Sequence, residues 1–132
     1  MAAVGKLTDQ TFPRAQHSNN GVTYFAFSVE LDGSNDPTNQ AGDNAKVTRA
    51  AAGVYDIELP KKYAQMVACL LTMEDATDVD AYAQVVSYTS STKTVRVRVQ
   101  DLTSEDVTDL DGPRLNVMLV MRLNSNLSRT WS

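Results

Sequence analysis

Apolar and polar residues alternate one by one in several segments of this chain, most clearly at residues 53–60 and 93–100. From residue 53 to residue 123 the alternation predicts five β-strands in close succession, joined mostly by short polar turns. Successive side chains of a strand point to opposite faces, so each segment has two faces of different character. The segments predicted as strands are residues 22–31, 46–50, 54–59, 66–74, 79–88, 93–100 and 114–123.

Seven or eight short strands with few helix signals indicate an all-β protein. We predict an antiparallel β-sandwich or jelly roll of seven to eight strands with an N-terminal arm. The arm is residues 1–21, where neither a period of 2 nor one of 3.6 persists. The sandwich domain is expected to cover residues 22–132, since a chain of 132 residues suits a single domain.

Two segments depart from simple alternation. Residues 66–74 are nearly continuous in apolar side chains, as in a central strand that is covered on both faces. A buried helix is the competing interpretation, but the segment is short for a helix and strand signals flank it. Residues 32–44 contain no large apolar side chain, so we predict a long surface loop there.

The last predicted strand has more apolar residues than a half-exposed strand needs. One of its faces is apolar throughout, while the other is polar at both ends and has Met118 and Val120 at its centre. Either a second sheet covers this second face or another subunit does, and an apolar centre with a polar rim is typical of a subunit interface. The sequence leaves both alternatives open.

Residues 79–88 have a similar two-sided pattern. Tyr82, Val86 and Tyr88 alternate with Ala81, Ala83 and Val85, so both faces contain apolar side chains. Combining the two strands, we predict an oligomer interface, with a fully covered core strand as the alternative. The predicted interface residues are Met118, Val120, Arg122, Tyr82 and Tyr88.

Charge and composition narrow the classes of partner. A net charge of −4 and a pI near 4.8 give no general attraction to nucleic acid or to an anionic membrane. No apolar run approaches the roughly 20 residues that cross a bilayer, and residues 1–9 lack the layout of a secretory signal. We therefore expect synthesis in the cytoplasm and neither nucleic acid nor membrane as a partner.

The residues capable of catalysis do not form a recognisable motif. His17 is the only histidine and lies in a polar stretch, while Cys69, the only cysteine, lies in the most apolar segment, where a thiol behaves as a small hydrophobe. Paired carboxylates could hydrolyse glycosides, but aromatic platforms for a sugar are few. We predict no catalytic residue, no cofactor and no enzymatic activity.

Acidic residues cluster in two turns, near residues 74–80 and 101–111. Oxygen ligands from two such loops could hold calcium, which takes six to eight of them. However, residues 109–112 lack the Asp-x-Asp-x-Asp-Gly spacing of the twelve-residue calcium loop. A solvated acidic surface is the simpler interpretation, and we assign no metal.

Five segments together resemble a known class of protein. They are residues 46–50 (KVTRA), 53–60 (GVYDIELP), 80–85 (DAYAQV), 93–99 (KTVRVRV) and 114–122 (RLNVMLVMR). The chain resembles, over roughly residues 46–123, the small virion proteins of tailed bacteriophages that decorate or cement the head. Many of these have jelly-roll folds similar to the complement globular-head and tumour-necrosis-factor group, and they commonly form trimers.

The resemblance implies a structural protein of the virion, made in the bacterial host cytoplasm. It would bind the outer surface of the capsid as a homotrimer and bridge neighbouring subunits of the major capsid protein. The arm, with Phe12, Pro13 and Arg14, would reach across a capsid seam. The alternative is a domain of a phage tail tip or fibre that binds a host carbohydrate or receptor, with Tyr63 or Trp131 in a shallow sugar site.

Overall fold

The computed structural model describes residues 22–74 and 80–123. The predicted arm, including Phe12, Pro13 and Arg14, lies outside the described residues, as does Trp131. Eight strands are present in the described part of the chain. They are β1 (Val22–Asp32), β2 (Asn35–Gly42), β3 (Lys46–Ala51), β4 (Val54–Glu58), β5 (Gln65–Glu74), β6 (Ala81–Thr89), β7 (Thr94–Asp101) and β8 (Asp111–Arg122).

The strands form two antiparallel sheets of four strands each. Sheet A has the order β2-β1-β8-β5, and sheet B has the order β3-β4-β7-β6. A 3-10 helix at Ser90–Thr92 joins β6 to β7 and is the only helix in the described residues. The prediction of an all-β antiparallel sandwich is therefore confirmed, with eight strands.

The two sheets pack through their apolar inner faces. Because the side-chain period of a strand is two, every second residue of β1, β4, β7 and β8 enters the core. Full burial of a large aliphatic side chain is worth about 1.5–3 kcal/mol, so this set provides most of the favourable free energy of folding. Its members include Phe25, Phe27, Val29, Leu31, Tyr55, Ile57, Leu59, Val95, Val97, Val99, Leu115, Val117, Leu119 and Met121.

Residues 32–44 are not the long loop that the sequence predicts. They contain β2, which pairs with β1 as an edge strand of sheet A. Its side chains are almost all exposed, and its pairing with β1 has two register shifts. Backbone hydrogen bonds form this strand without burying large side chains, so the hydrophobic pattern gave no signal of it.

The prediction that residues 66–74 form a central strand covered on both faces is also wrong. β5 is the other edge strand of sheet A and pairs only with β8. Its inner side chains pack against the core, whereas its outer face is open, and the Leu70 side chain is 62 % exposed. No other strand among residues 22–74 and 80–123 covers the apolar residues on that outer face.

The connection between β7 and β8 is attached to sheet B by Asp109. Its carboxylate accepts hydrogen bonds from Arg49 Nε at 3.0 Å, Arg49 Nη2 at 2.7 Å and the Gly53 N–H at 2.8 Å. Gly53 has a φ of +69°, and a Cβ there would lie 2.6 Å from the Thr108 nitrogen, so glycine is required. Hydrogen bonds from Arg49 lower the pKa of Asp109.

Replacing Asp109 with Ala should destabilise the protein by about 1–2 kcal/mol at neutral pH, because three charge-assisted hydrogen bonds are lost. The Asp109 pKa is lowered in the folded protein, so its contribution is complete above the ordinary value of 3.8 and is lost as the pH falls through the lowered pKa. Urea unfolding at neutral pH and well below pH 3.8 would measure this. Asp106→Ala, at an exposed position of the same loop, is the control and should have little effect. Equal destabilisation by both substitutions would contradict the assignment.

Candidate interaction surface

The outer face of sheet B is mostly polar, and its two arginines bond to side chains of neighbouring strands. Arg96 makes a two-pronged ion pair with Asp56, with nitrogen–oxygen distances of 2.8 and 3.0 Å. Arg98 donates two hydrogen bonds to the side-chain oxygen of Gln84. Both arginines lie on the outer face of β7. These contacts are those of a solvated surface.

The outer face of sheet A is apolar at its centre. Strand pairing places its residues in rows that run across β1, β8 and β5. Exposure of the side chains is 42 % for Met118 and 62 % for Leu70. Two adjacent rows contain only apolar or aromatic residues and are termed the apolar outer face. They are Tyr24, Val120 and Ala68 in one row, and Ala26, Met118 and Leu70 in the next.

A bulge in β5 determines which of its apolar residues face outward. The pairing register with β8 shifts between Met66 and Ala68. Before the bulge even-numbered Met66 faces the core, whereas after it Ala68 and Leu70 face outward, and Val67 at the bulge is 47 % exposed. Leu70 was not predicted to be a surface residue, because a continuous apolar run is typical of a strand that is covered on both faces.

Polar rows border the apolar outer face. On one side lies the row of Val22, Arg122 and Gln65, and on the other Asn116 donates a hydrogen bond to the Thr72 hydroxyl at 3.2 Å. An apolar centre with a polar rim is the usual anatomy of a protein–protein interface. Scattered exposed apolar residues are ordinary, but a contiguous group on one face marks an interaction site.

The structure separates the five residues of the predicted oligomer interface. Met118, Val120 and Arg122 lie together on the outer face of sheet A, where the second sheet does not cover them. Tyr82 pairs with Gln100 on the outer face of sheet B, which is the opposite side of the sandwich from this group. Tyr88 faces inward and packs against the core. Three of the five therefore share one surface.

The placement of Tyr88 corrects the period-two interpretation of residues 79–88. The register with β7 shifts between Val85 and Ser87, so the alternation changes sides at this bulge. The Tyr88 hydroxyl accepts a hydrogen bond from the Tyr63 N–H at 3.0 Å and donates one to the Tyr63 carbonyl at 2.6 Å. It thereby fixes the segment that leads into β5.

Tyr63 does not form the sugar platform considered above. Its side chain is only 2 % exposed, and its ring meets Phe25 edge to face at a centroid distance of 5.7 Å. Two shallow depressions on the described surface also have no aromatic lining. The first is lined by Asn44, Ala45, Lys46, Glu58, Leu59, Pro60 and Lys93, and the second by Asp56, Ser87, Thr89, Thr92, Thr94 and Arg96.

The Cys69 thiol is shielded by burial, and the Asp101 carboxylate is hydrogen-bonded within its own loop. Burial raises the pKa of Cys69 to about 11, so its thiol is protonated at neutral pH. The Asp101 carboxylate accepts the Thr103 N–H at 2.7 Å. Across residues 22–74 and 80–123, no three His, Cys, Asp or Glu side chains are grouped so as to hold a metal ion. The same residues include no helix long and apolar enough to cross a membrane.

Searches with this chain found no matching family model, no matching curated protein and no matching solved structure.

Tyr88→Phe should destabilise the protein by about 1–2 kcal/mol, because the Tyr63 backbone N–H and carbonyl lose their shared partner. Tyr82→Phe is the matched control: it removes the same atom from the outer face of sheet B and should leave the unfolding midpoint unchanged. Chemical denaturation of both variants would measure the difference. Similar midpoints for the two would contradict the inward placement of Tyr88.

Proposed function

We propose that this chain is a structural protein of a tailed-phage virion. Its copies associate through the apolar outer face of sheet A, bind the outer surface of the capsid and bridge neighbouring major capsid subunits. The main support is the exposed apolar group around Met118 and Leu70, set in a polar rim on a sandwich whose other sheet has one large exposed apolar residue, Val86, on its edge strand. The resemblance of residues 46–123 supplies the capsid context.

Self-association is favoured by the cost of leaving this face in water. Burial of apolar area is worth about 25 cal/mol per Å², and Met118, Leu70 and Tyr24 are each more than two-fifths exposed. An assembly of several copies also strengthens capsid binding, because contacts that are weak for one copy act together.

Capsid attachment is assigned to the N-terminal arm. Residues 1–21 precede β1, whose first residue, Val22, lies in the polar row that borders the apolar outer face. Phe12 and Pro13 offer an apolar contact in an otherwise polar segment, and Arg14 adds a charge. Arms that become ordered on contact can span a large surface, which suits a seam between major capsid subunits.

Met118→Asp should yield a folded protein of lower mass, because a carboxylate at the centre of an interface is desolvated without a partner. Light scattering coupled to size exclusion measures the mass, and circular dichroism checks the fold. Leu70→Asp should behave alike, whereas Gln84→Asp, the control on the outer face of sheet B, should retain the mass of the original protein. An unchanged mass for both Met118→Asp and Leu70→Asp would overturn the proposed contact.

Deleting residues 2–20 should abolish binding to phage heads while leaving the oligomeric mass intact, because the arm is assigned to the capsid and sheet A to the subunit contact. Co-sedimentation with heads purified from the phage that encodes the chain would measure binding, with the full-length protein as reference. Phe12→Ser should weaken binding without abolishing it. Retained binding by the truncated protein would count against the arm as the attachment site.

A further inference from the structure

The two ends of the apolar outer face have opposite charge. Beside the row of Tyr24 lies a basic end, where Arg122 is flanked by Val22 and Gln65. Toward the other end of the strands lies an acidic end, where Glu30 and Glu74 flank Arg114. Arg122 and Arg114 are both on β8, and eight residues at about 3.4 Å each separate them by about 27 Å. This exceeds the screening length of roughly 8 Å at physiological salt, so the two ends act independently.

The two arginines differ in how their charge is satisfied. Arg114 Nε donates to the Ser28 hydroxyl at 2.9 Å, and Arg114 Nη2 donates to the Asn39 carbonyl. Arg122 Nε and Nη1, in contrast, are buried and have no hydrogen-bond partner among the described residues. These two nitrogens are shielded from solvent within the chain, so a carboxylate of another copy would meet the guanidinium at Nη2, which is not among the buried unpartnered atoms.

The carboxylates at the acidic end can accept further hydrogen bonds. Glu30 accepts one hydrogen bond, from the Asn39 side chain at 3.0 Å, and a carboxylate has room for about four. Glu74 is exposed at the end of β5. With two carboxylates around one arginine that is already bonded within its own chain, the acidic end has negative charge available to a partner.

The area of the face requires these ends to take part in any stable contact. Tyr24, Leu70 and Met118 together expose on the order of 300 Å². A standard stable interface buries about 800 Å² on each partner, so the polar rows beside the apolar centre must be covered as well. The partner must therefore match an apolar centre and two ends of opposite charge.

We infer that a second copy of this chain covers the face in an antiparallel orientation, with Arg122 of each copy against Glu30 and Glu74 of the other, so that the contact joins two copies about a two-fold axis. The inference rests on the self-association proposed above and adds its orientation. A second copy supplies the apolar centre and both charges at once. The opposite orientation would set Arg122 against Arg122 and carboxylates against carboxylates, and like charges across an interface are repulsive.

The experiment is a charge exchange, read out as the dissociation constant of the assembly from sedimentation at several concentrations. Arg122→Glu should weaken association about tenfold, and the double variant Glu30→Lys with Glu74→Lys should do likewise, because each sets like charges against each other. Combining all three substitutions in one chain restores opposite charges. The combined variant should therefore return to within about threefold of the original affinity.

Arg98→Glu, a reversal on the outer face of sheet B, is the control and should not change the dissociation constant. If Met118→Asp dissociates the assembly but the triple exchange fails to restore affinity, the contact surface is supported and the antiparallel orientation is wrong. If Met118→Asp and Arg122→Glu both leave the assembly unchanged, the surface itself is wrong. A protein that is monomeric at every concentration overturns both.

Discussion

The pairing of β8 with two neighbours is the constraint on which the rest of this molecule depends. β8 is twelve residues long and bonds to β1 along one edge and to β5 along the other. Its register places Leu115 and Leu119 in the core, fully buried, and Met118 on the opposite face. A shift of one residue would expose the leucines and bury Asn116 and Arg122, so core and surface are determined together.

One strand thus packs into the core on one face and has exposed apolar side chains on the other. The inner face of β8 needs only apolar side chains of suitable volume, since sheet B covers it. Its outer face has Met118 and Val120 between polar residues, which limits the apolar area open to unspecific contacts. On the outer face of sheet B, arginine side chains bond to Asp56 and Gln84 within the chain instead. The two sheets are alike in topology and unlike in surface chemistry.

The sequence was informative wherever a strand buries one face. Seven strands were predicted, most of them from period-two alternation and the one at residues 66–74 from a continuous apolar run. The apolar excess of Met118 and Val120 on the last strand left a covered face and a subunit contact as alternatives. The strand β2 was missed because it forms through backbone bonds with exposed side chains. The apolar residues of β5 were assigned to a covered strand because local pattern does not disclose the order of strands in a sheet, and Leu70 was overlooked for the same reason.

The bulge in β6 affects how this strand would tolerate the insertion or deletion of a residue. One extra residue between Val85 and Ser87 decides which side chains of the strand's second half face inward. Val85 and Ser87 pair with the consecutive residues Val97 and Arg96, so deleting Val86 would remove the bulge and leave Val85 and Tyr88 facing inward in a regular ladder. A one-residue insertion would instead require a second bulge or would turn one half of the strand over, so β6 tolerates the loss of a residue better than the gain of one.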